Sequence, residues 1–596
     1  MNAKLRLSLV LLLLVALTVV PVGTYATSPT LMSSFHVGSP GTVTVLSGAH
    51  YAGSTVYSYC LSTSSSSVSC VGASGSFTST GAGAIPAATK LTIPTTTGGG
   101  YWIITYTGST VLANVPFSVV PGVKLSTYSG TPGTVVTLTG GGYAASTGFS
   151  DCLSTSSSSV ACVGASGGFT SDGLGNIPGG TTLTIPATTG GGYWVITYLG
   201  STVEAFQTKI FTVLAGLTIS TFEGSPGVCV PWICVSGTVV TLAGGGYAAS
   251  TLYSYCLSTS GTAVACVGAS GGFTSDGSGN MPSGITLTIP ITPQAVGGYY
   301  IITYSGSTVQ AKRSFTVVPD LFILDSSGPP QATIVTLAGA GYRASTLYSY
   351  CLSTSSSSVS CVGTPGSFTT DASGNIPLHV GLTIPNTPTA GYWIITYLVL
   401  THVITNQAFT VVPSIMITQA IGPPGSFTTL TGLGYPVGSV SYCLSTSSSA
   451  VACVGASGSF TTTGTYSIPA ATTLTIPTTT QGGYWVITYT GSTVLASIAF
   501  SVVPGLTLST YSGTPGTVVT LSAGGYAATT GYSYCLSTSS SSVSCVGASG
   551  SFTSDGSGNI PSGTTLTIPT TPKGQYWVIT YSGSTVEAFR TFGVGS

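Results

Sequence analysis

The chain has 596 residues, of which 43% are hydrophobic, 10% aromatic and only 3% charged, against about 25% charged in ordinary soluble domains. Setting aside Lys4 and Arg6 leaves eight basic residues against ten acidic ones, so no basic footprint for nucleic acid and no polybasic patch for anionic lipid exists. The apolar content excludes a disordered chain, and solubility has to come from Ser, Thr, Gly and Tyr or from burial in an assembly.

The first 26 residues read as a secretory signal peptide. Lys4 and Arg6 precede the apolar run Leu9 to Val20, and Thr24-Tyr25-Ala26 supplies small residues at the cleavage positions. That run is short for a membrane span, so the expectation is an extracellular or cell-surface chain without membrane insertion after cleavage; retention as an N-terminal anchor is the alternative. Residues 587–596 carry no hydrophobic tail that would signal a C-terminal anchor. With so few titrating groups, stability is expected to depend weakly on pH.

From there on the chain repeats itself. The phrase Cys-Leu-Ser-Thr-Ser opens at Cys60, Cys152, Cys256, Cys351, Cys443 and Cys535, at spacings of 92, 104, 95, 92 and 92 residues. A period near 92 is too long for a solenoid and fits a sandwich of about 100 residues. The units are 27–121, 122–215, 216–319, 320–413, 414–504 and 505–596, and an insertion at 228–236 accounts for most of the excess in the longest interval. In the second unit Pro132-Gly133 turns the chain into the strand Val135 to Thr139. Cys152 begins another, Ser156 to Ser159 make a turn, and Val160 to Val163 return. Thr181 to Ile185, Tyr193 to Tyr198 and Phe211 to Val213 follow. About seven short strands with Gly/Pro punctuation and no helical period predict an all-β antiparallel sandwich. The hinges, such as Val120-Pro121-Gly122 and Val503-Pro504-Gly505, are too short to behave as flexible coil. Six tandem sandwiches forming an elongated rod are expected.

The recurring pattern Gly-x-Pro-Gly-Thr-Val-Val-Thr-Leu-x-Gly-x-Gly-Tyr, then Phe-Thr-x-Asp-x-x-Gly-Asn-Ile-Pro, then Gly-x-Tyr-Trp-Val-Ile-Thr-Tyr resembles the IPT/TIG-like and related Ig-like repeats of prokaryotic surface proteins. Its Ser/Thr/Tyr-rich, charge-poor style is most similar to surface proteins of thermophilic archaea. The resemblance spans the whole chain after the leader. It implies an Ig-like fold and a place at the cell surface as a stalk, filament component, adhesin or enzyme accessory.

All fourteen cysteines pair locally. Six pairs share one spacing: Cys60/Cys70, Cys152/Cys162, Cys256/Cys266, Cys351/Cys361, Cys443/Cys453 and Cys535/Cys545. In a secreted chain this even pairing predicts disulfides closing serine-tipped hairpins, and no further Cys or His pair supplies a zinc set. A seventh pair, Cys229 and Cys234, staples the insertion and presents Pro231 and Trp232. The stapled loop is either a binding anchor or a self-sufficient excursion.

Tyr59, Tyr255, Tyr350, Tyr442 and Tyr534 precede the first cysteine of their copies, where the second copy has Asp151. A lone carboxylate is rarely buried unpaired. Strand alternation then turns this position outward and the cysteine inward, leaving the tyrosines to pack on neighbours, stack on sugars, or sit as ordinary strand-edge residues.

No catalytic constellation emerges. Gly164-Ala-Ser-Gly-Gly168 and Gly268-Ala-Ser-Gly-Gly272 match the nucleophile-elbow pattern, but neither lies between a strand and a helix, and the histidines are His36, His50, His379 and His402, outside both copies. The turns at Asp172, Asp276, Asp371 and Asp555 hold one carboxylate each, and the first and fifth copies carry Thr80 and Thr463 instead. That favours turn chemistry over calcium. No cofactor is expected. The function expected is that of an extracellular structural repeat protein, a stalk, sheath, S-layer-associated or filament component without catalysis, whose partners are surface protein, glycan or further copies of itself. The alternative is an adhesin using exposed aromatics.

Overall fold

The computed structural model describes residues 27–595 except 232, 291–295, 400–401 and 548. The leader and Trp232 therefore lie outside the described residues. Every regular element among the described residues is a strand, and the strands fall into six successive pairs of sheets and one separate two-stranded hairpin in the third unit. The chain is a tandem array of six Ig-like β-sandwiches.

The first sandwich shows the plan. β1 (Met32–Ser33), β3 (Val43–Ser47) and β6 (Lys90–Thr92) form a three-stranded sheet in the order β1-β3-β6. β2 (Val37–Gly38), β4 (Val56–Ser62), β5 (Cys70–Thr78), β7 (Gly99–Thr107) and β8 (Thr110–Val119) form a five-stranded sheet in the order β2-β8-β7-β4-β5. All pairs are antiparallel except β2 with β8, which run parallel. The first strand of the fold is thus split, one half in each sheet.

β3 and β8 alternate as half-buried strands do, with Thr44 and Leu46 inward and Val43, Val45 and Ser47 outward. β4 and β7 do not alternate: Tyr59, Cys60, Leu61 and Ser62 are all buried, as are Ile103, Ile104 and Thr105. A strand buried continuously has both faces covered. The inner face meets Leu46, Leu91 and Ile93 across the sandwich and packs beside Phe77 and Phe117 of its own sheet, and the outer face lies beneath the serine-tipped hairpin.

The Tyr of each Gly-Tyr corner is a core residue. Tyr143, Tyr247, Tyr342, Tyr435 and Tyr526 are at most 1% exposed, and each hydroxyl meets a buried threonine Oγ1, for example Tyr342 with Thr396 at 3.1 Å and Tyr526 with Thr580 at 2.8 Å. In the second sandwich Tyr143 also packs on Phe149 and Phe169 with centroids 5.0 and 5.3 Å away. Tyr342→Phe leaves Thr396 Oγ1 without that partner. We expect a loss of about 1–2 kcal/mol in the fourth sandwich, read as a lowered urea midpoint, with Thr396→Val costing little more on top of it.

Four details differ from the sequence expectation. Cys152 sits inside the strand Gly148–Ser154 and does not begin it. The strands Gly122–Leu125, Ser129–Gly130 and Thr202–Phe206, which the pattern did not suggest, complete the second sandwich. The returning strand is Cys162–Thr170, two residues later than Val160 and running on through the glycines. The fifth sandwich follows the same rule with Cys453–Thr462, whereas the sixth shortens its returning strand to Gly550–Thr553 and leaves Cys545 in a single bridge to Ser537.

Candidate functional site: disulfide hairpins, buried tyrosines and interdomain joints

Seven disulfides form, in the expected pairs: Cys60–Cys70, Cys152–Cys162, Cys229–Cys234, Cys256–Cys266, Cys351–Cys361, Cys443–Cys453 and Cys535–Cys545. No described cysteine is free. The six recurrent bridges tie the middle of the central strand to the start of the returning chain. Their direction corrects the sequence expectation, because they lie on the outer face of the five-stranded sheet and not in the intersheet core. The first cysteine of each pair is 0% exposed there. The second is not fully buried: Cys70, Cys162, Cys361 and Cys453 are half-buried, and Cys266 and Cys545 are exposed.

In the fourth sandwich Cys351 clusters with Ile395 and Tyr397, and Val359, Cys361, Trp393 and Val403 pack around them. This small second core has the disulfide as its lid. A phenol from the neighbouring strand reaches the outer sulfur in three copies. A disulfide sulfur carries no hydrogen, so the hydroxyl is the donor: Tyr397 to Cys361 Sγ at 3.8 Å, Tyr489 to Cys453 Sγ at 3.7 Å and Tyr581 to Cys545 Sγ at 3.8 Å.

The serine tips are ordered by their own hydroxyls. Ser62 is fully buried; its Oγ donates to the Ser64 carbonyl at 2.9 Å and accepts from the Ser64 N–H at 3.1 Å. Ser64 Oγ accepts from the N–H groups of Ser66 and Ser67 at 3.2 and 3.1 Å. The last strand holds the tip down from the side: Asn114 Nδ2 donates to the Ser65 carbonyl, and Asn406 Nδ2 to that of Ser356.

The tyrosine row faces the opposite way from the sequence expectation. Tyr59, Tyr255, Tyr350 and Tyr534 are only 7–8% exposed and belong to the intersheet cores, while Tyr442 is half-buried against its own. Their hydroxyls donate to the carbonyls of Lys90, Thr286, Gly381, Thr565 and Thr473 across the sandwich mouth, at 2.8–3.0 Å. The premise that failed was that one side of this strand meets water. Both sides are covered, so alternation chooses between two interiors.

Asp151 is therefore a buried carboxylate, 0% exposed. Neither Oδ1 nor Oδ2 has a hydrogen-bond partner among the described residues. It occupies the start of the space that a phenol ring fills elsewhere, and the Thr182 carbonyl, counterpart of Lys90, has no phenol to accept from. Burial pushes its pKa up to about 6.

The other motifs resolve into turn and edge geometry. Asp172 Oδ1 accepts from the N–H groups of Leu174 and Asn176 at 2.9 and 2.8 Å, and Oδ2 accepts from Asn176 Nδ2 at 2.9 Å. These bonds hold the Asp172 carboxyl below its usual range. In the first sandwich Thr80 Oγ1 takes the same place and accepts from the Ala84 N–H at 3.0 Å. Both Gly-x-Ser-x-Gly segments lie in extended edge strands, Cys162–Thr170 and Cys266–Thr274.

The insertion forms a two-stranded hairpin, Val228–Val230 with Ile233–Val235, closed by Cys229–Cys234 and with Pro231 exposed at its turn. It leaves the fold between Pro226-Gly227 and Gly237-Thr238 and packs beside strand Ile334–Ala340 of the fourth sandwich. Nearby, Ser225 Oγ donates to Asp320 Oδ2 across the same boundary at 3.0 Å. The stapled loop is thus not a free excursion: it packs between the third and fourth sandwiches as a strut.

The boundary between sandwiches is a built joint, which sequence reading missed. At each one the proline of the Pro-containing turn in one sandwich lies on the glycine preceding the corner tyrosine of the next. A Cβ placed on Gly142, Gly246, Gly341, Gly434 or Gly525 would come within 3.1 Å of Cδ of Pro40, Pro132, Pro226, Pro330 or Pro424, respectively. All five glycines have φ between 79° and 86°, the left-handed region that favours glycine. At four joints an N–H of the earlier sandwich also donates to the corner tyrosine's carbonyl: Gly98 to Tyr143, Gly190 to Tyr247, Val296 to Tyr342 and Gln481 to Tyr526. At the fourth joint Asn386 Nδ2 donates to the Thr465 carbonyl at 2.5 Å. The signal was present in the sequence as the paired Pro-Gly and Gly-x-Gly-Tyr motifs, but nothing in one sequence says that they meet.

No family model matches the chain, and no curated protein matches it. Among solved structures it is similar to a Salmonella α2-macroglobulin mutant at 10% identity, over 96% of this chain and 43% of that one, with a TM-score of 0.15. It is similar to the Escherichia coli adhesin FdeC at 15% identity, over 48% of this chain and 96% of that one, with a TM-score of 0.14. It is also similar to Bacteroides ovatus SGBP-B, solved with a mixed-linkage heptasaccharide, at 14% identity, over 46% and 70%, with a TM-score of 0.17. The chain spans about half the length of the macroglobulins it matches, 43% and 57%.

Proposed function

We propose that the chain is an extracellular structural element, a stiff spacer or filament component at a cell surface, with no catalytic activity. The observation that carries this reading is the joint. One proline-on-glycine contact recurs at five successive boundaries, with short hinges such as Val120-Pro121 between them, so each sandwich is seated on the next. The disulfides support an oxidising compartment. The charge-poor surface leaves little electrostatic repulsion to oppose lateral packing.

Glycan binding through the tyrosine row is not proposed, because those rings line the intersheet cores. Electron microscopy of the purified chain, with antibody labelling of intact cells, tests the reading. We expect unbranched rods with narrow angle distributions at every joint and label along the cell periphery. Flexible strings of beads, or label confined to the cytoplasm, overturn it.

A further inference from the structure

The five joints define what a sandwich must present to accept a neighbour on its N-terminal side. Three receiving positions differ in tolerance. The first residue is Gly122, Gly216, Asp320, Ser414 or Gly505, so side chains are accepted there. The middle of the Gly-x-Gly-Tyr corner is Gly141, Gly245, Ala340, Leu433 or Gly524, so they are accepted there too. The residue just before the tyrosine is glycine in all five. A Cβ on it would meet the neighbour's proline ring and also a backbone carbonyl of the hinge, Val120 O at 2.5 Å from Gly142 and Val318 O at 2.7 Å from Gly341. A backbone carbonyl cannot give way as a flexible side chain can.

The first sandwich carries His50 at this position. His50 holds the same left-handed conformation, with φ 68°, so its Cβ points where the neighbour's proline and hinge carbonyl lie in the other five. The imidazole stands exposed on that face, and Tyr51 behind it retains 5% exposure, where its five counterparts are at 0–1%. The sixth sandwich, by contrast, keeps the donor side of the joint. Its proline is Pro515, and Lys573 holds the position from which Gly98 donates in the first. Thr514, Lys573, Gln575 and Val594 line an open concave surface.

We propose that His50 makes the first sandwich an end cap, which refuses the C-terminal face of a sandwich of this kind, including that of a second copy of this chain. Copies do not add head to tail through this joint, and self-association runs through other surfaces. This concerns only which faces mate and holds whether or not the rod is a surface spacer.

A covalent test removes the question of affinity. Two copies of residues 30–594 are fused by a Val-Pro hinge, so that the sixth sandwich of one precedes the first of the other. In electron micrographs the central joint is expected to show a broad angle distribution while the internal joints stay narrow. His50→Gly in the second copy should narrow it to the internal value. In the reciprocal variant of the full chain, Gly246→His should loosen the joint between the second and third sandwiches and leave the other four straight. Because His50 is itself left-handed in a folded sandwich, backbone strain alone does not predict that localised loosening. A central joint as straight as the others in the unmodified fusion overturns the proposal, as does a fusion that stays bent after His50→Gly. If Gly246→His unfolds the third sandwich, the fusion arms decide alone.

Discussion

Asp151→Tyr is expected to raise the stability of the second sandwich at pH 7 by at least about 3 kcal/mol and to abolish most of its pH dependence. The folded pKa of about 6 lies above the ordinary value of 3.8, and a displacement of one pH unit corresponds to about 1.4 kcal/mol. The sign follows from which form the fold prefers. A buried carboxyl without hydrogen-bond partners favours the protonated state, so its contribution to stability is fully present below the unfolded pKa. That contribution is lost as pH rises from about 4 through about 6, and above this the loss is complete. Tyrosine removes the ionisation and restores the ring and the hydroxyl donor that four of the other copies bury at this position. Asp151→Asn removes only the charge, so it should flatten the pH profile without the full gain.

Calorimetry of the whole chain between pH 3 and 8 checks this. The wild-type chain should show a low-temperature transition that falls as pH rises, absent in Asp151→Tyr. A lowest transition that climbs with pH overturns it. The exposed turn carboxylates cannot mimic the effect, because the pKa values of Asp172, Asp276, Asp371 and Asp555 are lowered. Their contribution is present at neutral pH and fades on acidification, the opposite slope. The weak pH dependence expected from composition thus becomes a dependence concentrated in one residue of one sandwich.

The paired substitution Cys351→Ser with Cys361→Ser is expected to cost the fourth sandwich about 3–5 kcal/mol. The bridge closes a loop of separation 10, worth roughly 3 kcal/mol in chain entropy. It is also the lid over Ile395 and Trp393, so opening it wets a second apolar surface. The urea midpoint of that sandwich should drop, and hydrogen exchange should rise across the hairpin 354–361 and along strand Ala390–Leu398. Cys229→Ser with Cys234→Ser makes the contrast. Both cysteines are exposed and cover no core, so the third sandwich should lose no more than the chain entropy of a loop of separation 5, about 2 kcal/mol. Its effect should appear as added mobility at the joint with the fourth sandwich. Equal losses from the two bridges contradict the lid role.

The repeat, the all-β class, the strand-rich sandwich and every cysteine pair were legible in the residues alone. Periodicity, β-branched content, Gly/Pro punctuation and even spacing are local properties, and local sterics act on them directly. The break in the pattern at Asp151 was equally visible, though not what it does. Direction along a central strand had to wait for the packing of the sheets, because a strand covered on both faces offers alternation no solvent side to refer to. Hence the tyrosines assigned outward lie inward, and the bridges from Cys60–Cys70 to Cys535–Cys545 lie on the outer face. The joints have the same origin. A proline turn and a glycine corner, more than a hundred residues apart in the chain, become one contact only when two sandwiches stack, and only that contact explains why a glycine precedes the corner tyrosine in each of the five sandwiches that receive a neighbour.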